Sequence, residues 1–217
     1  MGEFKVSYDA SGFVDLAKEL PEIILEMRYY TSFNFTGKRV PGYESPCALL
    51  TKEAALVLQK IAADVAKDGY RVRIYDAYRP RRAVEHFVKW CHDPAADESM
   101  KPWFFPDVDR SELIPRDYIS DDSSHTRGST MDMTLFSMKT GHNLDMGALF
   151  DLFDERSAQG YTKGLTPDQI RHRRYLLELM TDYGFSTLRS EWWHFTLKDE
   201  PYPDTRFDFP VTPDVLK

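Results

Sequence analysis

The sequence predicts an α+β fold: a single domain over residues 1–217 with a central antiparallel sheet flanked by helices. Three observations carry this expectation. Apolar residues at helical spacing mark a long helix over 51–68, and start and stop signals mark a second over 166–183. Runs of alternating or aromatic and β-branched residues mark strands near 72–75, 131–135 and 185–197. These elements do not follow the regular strand–helix–strand alternation that a doubly wound parallel sheet requires.

Taken in order, residues 13–27 carry Val14, Leu16, Ala17 and Leu20, then Ile23, Ile24 and Leu25 beyond Pro21, a pattern for a short helix or turn followed by an extended piece. Residues 34–43 contain Gly37, Pro41 and Gly42 and read as a loop. In the helix over 51–68, Leu58, Ile61, Ala62 and Val65 fall at i, i+3, i+4 and i+7, with Thr51 placed to cap it and Gly69 to stop it. Val72 and Ile74 then alternate with Arg71, Arg73 and Tyr75 in a strand ending at Arg79-Pro80. Pro80 suits the first position of a helix that carries Ala83, Phe87 and Trp90.

Residues 92–122 hold Pro94, Pro102, Pro106 and Pro115 and read as a long surface excursion, a kind of segment that is usually functional or mobile. Strand character returns at Met131, Met133 and Leu135. The helix over 166–183 has a capping box in Thr166 and Gln169, Pro167 at its first position and Gly184 at its end. Residues 185–197 suit a strand or hairpin.

Composition narrows the function. The 217 residues suffice for one ordinary core, and 42% hydrophobic content is globular rather than disordered. With 28 Lys+Arg against 35 Asp+Glu, the net charge of −7 argues against a nucleic-acid partner, whose footprint is a basic stripe. No run approaches the roughly 20 apolar residues of a membrane span. The first ten residues include Glu3, Lys5 and Asp9 with no apolar run, so no secretory signal is read and a cytoplasmic protein without membrane contact is expected. Cys47 and Cys91 form neither a disulfide framework nor a metal spacing, which leaves His and carboxylates as ligands for any metal. No heptad seam or repeat speaks to oligomeric state.

Two segments could carry chemistry. In the first, Ser123 to Thr134, His125 precedes a Gly-containing turn and Asp132 follows seven positions later on a strand. On an unbroken strand that odd separation would place the two on opposite faces, but a turn at Arg127-Gly128 can bring them together. In the second, Glu191-Trp192-Trp193-His194, a carboxylate precedes a His by three. On a helix the pair would share a face; on a strand Glu191 must sit in the turn before it, outside the regular alternation. Spacing alone leaves both open.

His125, Asp132 and His194 together would make three zinc ligands with one tetrahedral position free, the mark of a catalytic site. Glu191 then suits a general base that does not bind the metal, and Arg79 at the end of its strand suits an oxyanion stabiliser. Taken singly, each of these residues is more often structural or solvated. His86, His92, His142 and His172 read as structural or solvated.

The segments Ser124-His125-Thr126-Arg127-Gly128-Ser129-Thr130-Met131-Asp132, Glu191-Trp192-Trp193-His194 and Tyr75-Asp76-Ala77-Tyr78-Arg79-Pro80 resemble those of the VanX-type zinc D-alanyl-D-alanine dipeptidases, peptidase family M15. That group is related to D,D-carboxypeptidases and the Hedgehog amino-terminal domain. The Arg-Gly-Ser after the His and the later Met146 to Asp151 segment point to the dipeptidase branch.

The resemblance implies one Zn2+ per chain on His125, Asp132 and His194, Glu191 as catalytic base and Arg79 as transition-state stabiliser. It further implies that Ser123 and Asp151 hold a small dipeptide substrate, with Asp151 near its amino group and either Tyr29 or Tyr30 lining the cavity. The activity so implied is hydrolysis of D-alanyl-D-alanine; the alternative is a D,D-carboxypeptidase acting on peptidoglycan stem peptides.

Overall fold

In the computed structural model, residues 4–217 are described; Met1 to Glu3, part of the amino-terminal stretch read above for a leader, lie outside them. The strands are β1 (Lys5–Ser7), β2 (Phe13–Asp15), β3 (Ile24–Leu25), β4 (Leu49–Thr51), β5 (Tyr70–Asp76), β6 (Thr130–Ser137), β7 (His142–Asn143), β8 (Phe185–Leu188), β9 (Glu191–Leu197) and β10 (Thr205–Phe207). The helices are α1 (Leu16–Glu19), α2 (Lys52–Lys67), α3 (Arg81–His92), α4 (Lys101–Phe104) and α5 (Pro167–Asp182).

The principal sheet runs β3-β5-β6-β9-β8, with β7 added to β6. Its centre is antiparallel as expected, but β3 joins β5 in parallel, so the sheet is mixed. Two short ribbons, β1 with β10 and β2 with β4, lie outside it.

One face of the sheet packs on helices. Met131, Met133 and Leu135 of β6 and Val72 and Ile74 of β5 meet Leu58, Ile61 and Val65 of α2 and Leu176 and Met180 of α5 in one buried cluster. This is the stripe that the spacing in α2 predicts. A second cluster, largely aromatic, contains Tyr29, Phe35, Tyr78, Phe87, Trp90, Phe104 and Phe105. On the opposite face Thr130, Asp132 and Thr134, which alternate with the core residues of β6, are buried as well.

Residues 92–122 differ from the expected surface excursion. They contain α4 and bury Phe104, Phe105, Val108, Leu113 and Ile119 in the aromatic cluster. Arg110 ties the segment down, donating to the carbonyls of Trp90 and Asp93 and pairing with Glu98 at 3.0 Å. Two caps also differ. Thr51 precedes α2, but its hydroxyl meets Ser129 Oγ at 2.7 Å and makes no cap bond; Pro80 stands one position before α3 rather than at its first. In α5 the Thr166–Gln169 capping box forms as predicted. No helix among the described residues is long and apolar enough to cross a membrane.

The turn that feeds β6 depends on Gly128. It has φ +81° and closes a 3-10 turn, Ser124–Arg127. A Cβ there would overlap the ring of Phe13. The expected outcome for Gly128→Ala is a loss of about 2–4 kcal/mol in urea unfolding, from left-handed backbone strain plus overpacking. Gly160→Ala, where an added Cβ meets nothing, is the control and should change stability little.

Candidate metal and active site

Two irregularities in the sheet aim the site. Ile74 pairs with Met133 while Asp76 pairs with Asp132, so two residues of β5 oppose one of β6. The bulge turns Asp76 off the helix-packed face of Ile74 and onto the face of Asp132. A second shift lies between β8 and β9: Thr187 pairs with Phe195, but Leu188 pairs with Glu191. Glu191 is therefore the first residue of a strand yet out of its regular alternation, and its Oε2 reaches 3.5 Å from His194 Nδ1. This resolves the choice between helix and strand that spacing left open.

His125 comes from the 3-10 turn and Asp132 from β6, joined by the turn at Gly128; His194 on β9 is the direct strand partner of Asp132. His125 Nε2 lies 3.2 Å from Asp132 Oδ1 and 3.3 Å from His194 Nδ1, and the third side, His194 Nδ1 to Asp132 Oδ1, is 3.2 Å. The outer ring nitrogens are occupied. His125 Nδ1 donates to the Ala77 carbonyl at 2.7 Å, which leaves Nε2 as a lone pair. His194 Nε2 meets Ser124 Oγ at 3.1 Å, which accommodates the tautomer whose Nδ1 lone pair also points inward.

In that tautomer two lone pairs and a carboxylate oxygen converge, an arrangement suited to a cation. Ligand atoms of a tetrahedral site with zinc bonds of about 2.0–2.1 Å stand about 3.3 Å apart, and the triangle here matches that spacing. His125, Asp132 and His194 thus form a buried group that could hold a metal ion.

Burial lowers the basicity of His125; at His194 the same effect is outweighed by Asp132 and Glu191, which raise it. Burial pushes the Asp132 carboxyl up, yet the two imidazoles more than offset this and hold it well below the usual carboxylate range. Burial drives Glu191 up to about 7 against the pull of His194.

Arg79 leaves the end of β5 with its backbone N–H on the His125 carbonyl at 3.2 Å. Its Nε donates to Asp76 Oδ2 at 2.9 Å, its Nη2 lies 3.5 Å from Asp132 Oδ2, and its guanidinium stands 5.0 Å from the centre of the Tyr29 ring. Asp76 carries no role in the reading from sequence, although it lies within the motif that holds Arg79. Fully buried, it accepts from Tyr43 Oη at 2.7 Å as well as from Arg79. Two carboxylates directly opposite on neighbouring strands repel; Arg79 and His125 between them make the pairing tolerable. The i,i+3 spacing of Asp76 and Arg79 was the readable signal, and only the bulge shows why it matters.

Asp151 is 5% exposed, has φ +62° and accepts a hydrogen bond from Tyr29 Oη at 2.8 Å. Burial, reinforced by Asp132, raises its carboxyl well above the usual value, and no cation among the described residues pairs with it. Tyr29 rather than Tyr30 lines the cavity with Asp151 and Ser123; Tyr30 lies beneath Arg39 instead. The cavity, about 250 Å³, brings Arg79, His125, Asp132, Glu191 and His194 onto one wall. It is smaller than most ligand pockets, which run from about 300 to 1,000 Å³. Cys47 and Cys91 are free and buried, with thiols pushed up to about 12 and about 11 by burial, and neither lines it.

Comparison with known proteins places the chain in a family. The family model described as D-ala-D-ala dipeptidase, of the M15 peptidases, matches residues 9–212. A D-alanyl-D-alanine dipeptidase of Enterococcus faecalis is 42% identical over 202 residues, covering 93% of this chain and 99% of the relative. One from Enterococcus faecium is 40% identical, covering 92% and 98%, and one from Escherichia coli is 35% identical, covering 87% and 86%. The chain belongs to the M15 D-alanyl-D-alanine dipeptidase family.

The Asp76–Arg79 pair is open to a stability test. Asp76→Ala leaves a buried guanidinium without its nearest partner, and the expected loss in urea unfolding is about 3–5 kcal/mol.

Proposed function

We propose that this protein hydrolyses the dipeptide D-alanyl-D-alanine to D-alanine, with one zinc ion held by His125, Asp132 and His194. The observation that carries the reading is the triangle of inward lone pairs with Glu191 and Arg79 on the same cavity wall. The chemistry a zinc ion supplies at such a site is Lewis acidity, which polarises a carbonyl and lowers the pKa of water.

The protein groups supply the rest. Glu191 accepts the proton of the attacking water and delivers it to the leaving amine; a carboxyl raised to about 7 is suited to both acts near neutral pH. Arg79, oriented by Asp76, shares the negative charge that develops on the carbonyl oxygen. Asp151, buried without a cation, receives the substrate ammonium, with Tyr29 Oη fixing its other oxygen and Ser123 adding a hydroxyl to the same cavity. The cavity of about 250 Å³ supports a dipeptide rather than a stem peptide. A cytoplasmic setting and a place in cell-wall peptide metabolism belong to the same proposal.

The test joins metal analysis of the purified protein to D-alanine release from D-alanyl-D-alanine. The wild type should carry about one zinc per chain, as a three-ligand site implies. Glu191→Ala should keep the metal while kcat falls roughly 10²–10⁴-fold. Undiminished turnover in Glu191→Ala, or release from a stem pentapeptide but not from the dipeptide, would overturn the reading.

A further inference from the structure

Two arginines line the cavity. Arg79 is committed to Asp76 and Asp132, as described. Arg127 is not fully engaged. Its Nε donates to both oxygens of Glu200 at 2.8 Å, while no described residue accepts a hydrogen bond from Nη1 or Nη2, and 17% of the side chain stays exposed. It sits in the same 3-10 turn as His125, closed by Gly128, so its guanidinium is placed by the turn that places a metal ligand. The nearby carboxylate Asp122 pairs with Arg206 through bonds of 2.6 and 2.8 Å; it feels the charge of Arg127 but accepts no hydrogen bond from it.

The cavity therefore offers one buried carboxylate lacking a cation, Asp151, and one guanidinium with an unused edge, Arg127. A free dipeptide carries the complementary pair, an ammonium and a carboxylate, separated by at most about 7 Å. The planar fork of a guanidinium fits a carboxylate through two parallel N–H···O bonds.

We propose that Nη1 and Nη2 of Arg127 bind the free α-carboxylate of the substrate and make the enzyme selective for peptides that end in one. The assignment rests on the dipeptidase reading. It also gives a role to the arginine of the Arg-Gly-Ser segment that marks the dipeptidase branch.

The experiment measures kcat and KM of the zinc-loaded full-length protein on D-alanyl-D-alanine and on its carboxyl-terminal amide. The wild type should prefer the free acid by on the order of 10–100-fold in kcat/KM, the size of a charged hydrogen-bond pair. Arg127→Gln should abolish that preference, chiefly by raising KM for the acid and leaving the amide nearly unchanged. Glu200→Gln, which touches the Nε edge alone, should retain it. If Arg127→Gln does not fold, Arg127→Lys, which keeps the charge and loses the fork, should show a reduced preference.

An acid-over-amide preference equal to the wild type's in the Arg127 variant, or an equal loss on both substrates, overturns the assignment. Wild-type protein that cleaves neither substrate overturns the dipeptidase reading itself, and this assignment with it.

Discussion

His125 Nε2, His194 Nδ1 and Asp132 Oδ1 stand 3.2–3.3 Å from one another, all three side chains buried on the wall of the cavity. The Ala77 carbonyl turns the Nε2 lone pair of His125 inward, and with Ser124 Oγ accepting from His194 Nε2 the Nδ1 lone pair of His194 faces the same point. Much of the surrounding structure serves that constraint. The Gly128 turn delivers His125, the direct pairing of Asp132 with His194 sets one side of the triangle, and the carbonyl and hydroxyl behind the rings fix which nitrogen faces in.

Burial gives the site its strength and its instability. Asp76, Asp132, Asp151 and Glu191 gather in one region with Arg79 as the cation enclosed among them. Because these groups are buried, each interaction among them is stronger than it would be at the surface, and each unpaired charge costs more. A divalent ion on one side of Asp132 and a substrate ammonium at Asp151 would offset two of these charges.

The candidate metal ligands His125, Asp132 and His194 and the candidate base Glu191 were readable because they fall in two compact motifs that resemble those of the D-alanyl-D-alanine dipeptidases. The helix α2 was readable from its apolar spacing, and α5 from the capping box of Thr166 and Gln169. What periodicity could not show lies where regular structure is broken. The bulge between Ile74 and Asp76 changes the face of Asp76, and the shift between Thr187 and Leu188 admits Glu191 beside His194; both violate the alternation from which strand faces are inferred. Residues 92–122 were misleading for another reason. Their prolines and acids resemble a solvated loop, while Phe104, Phe105 and Leu113 pack into the aromatic cluster through contacts distant in sequence. The choice of Tyr29 over Tyr30 likewise waited on the hydrogen bond to Asp151.

The central claim is that a metal ion binds to two imidazole nitrogens and one carboxylate oxygen. X-ray absorption at the zinc edge of the purified, zinc-loaded protein tests it most directly. The account predicts a shell made only of nitrogen and oxygen at about 2.0–2.1 Å, with outer scattering from two imidazole rings. A sulfur shell near about 2.3 Å, or scattering from a single imidazole, would contradict it.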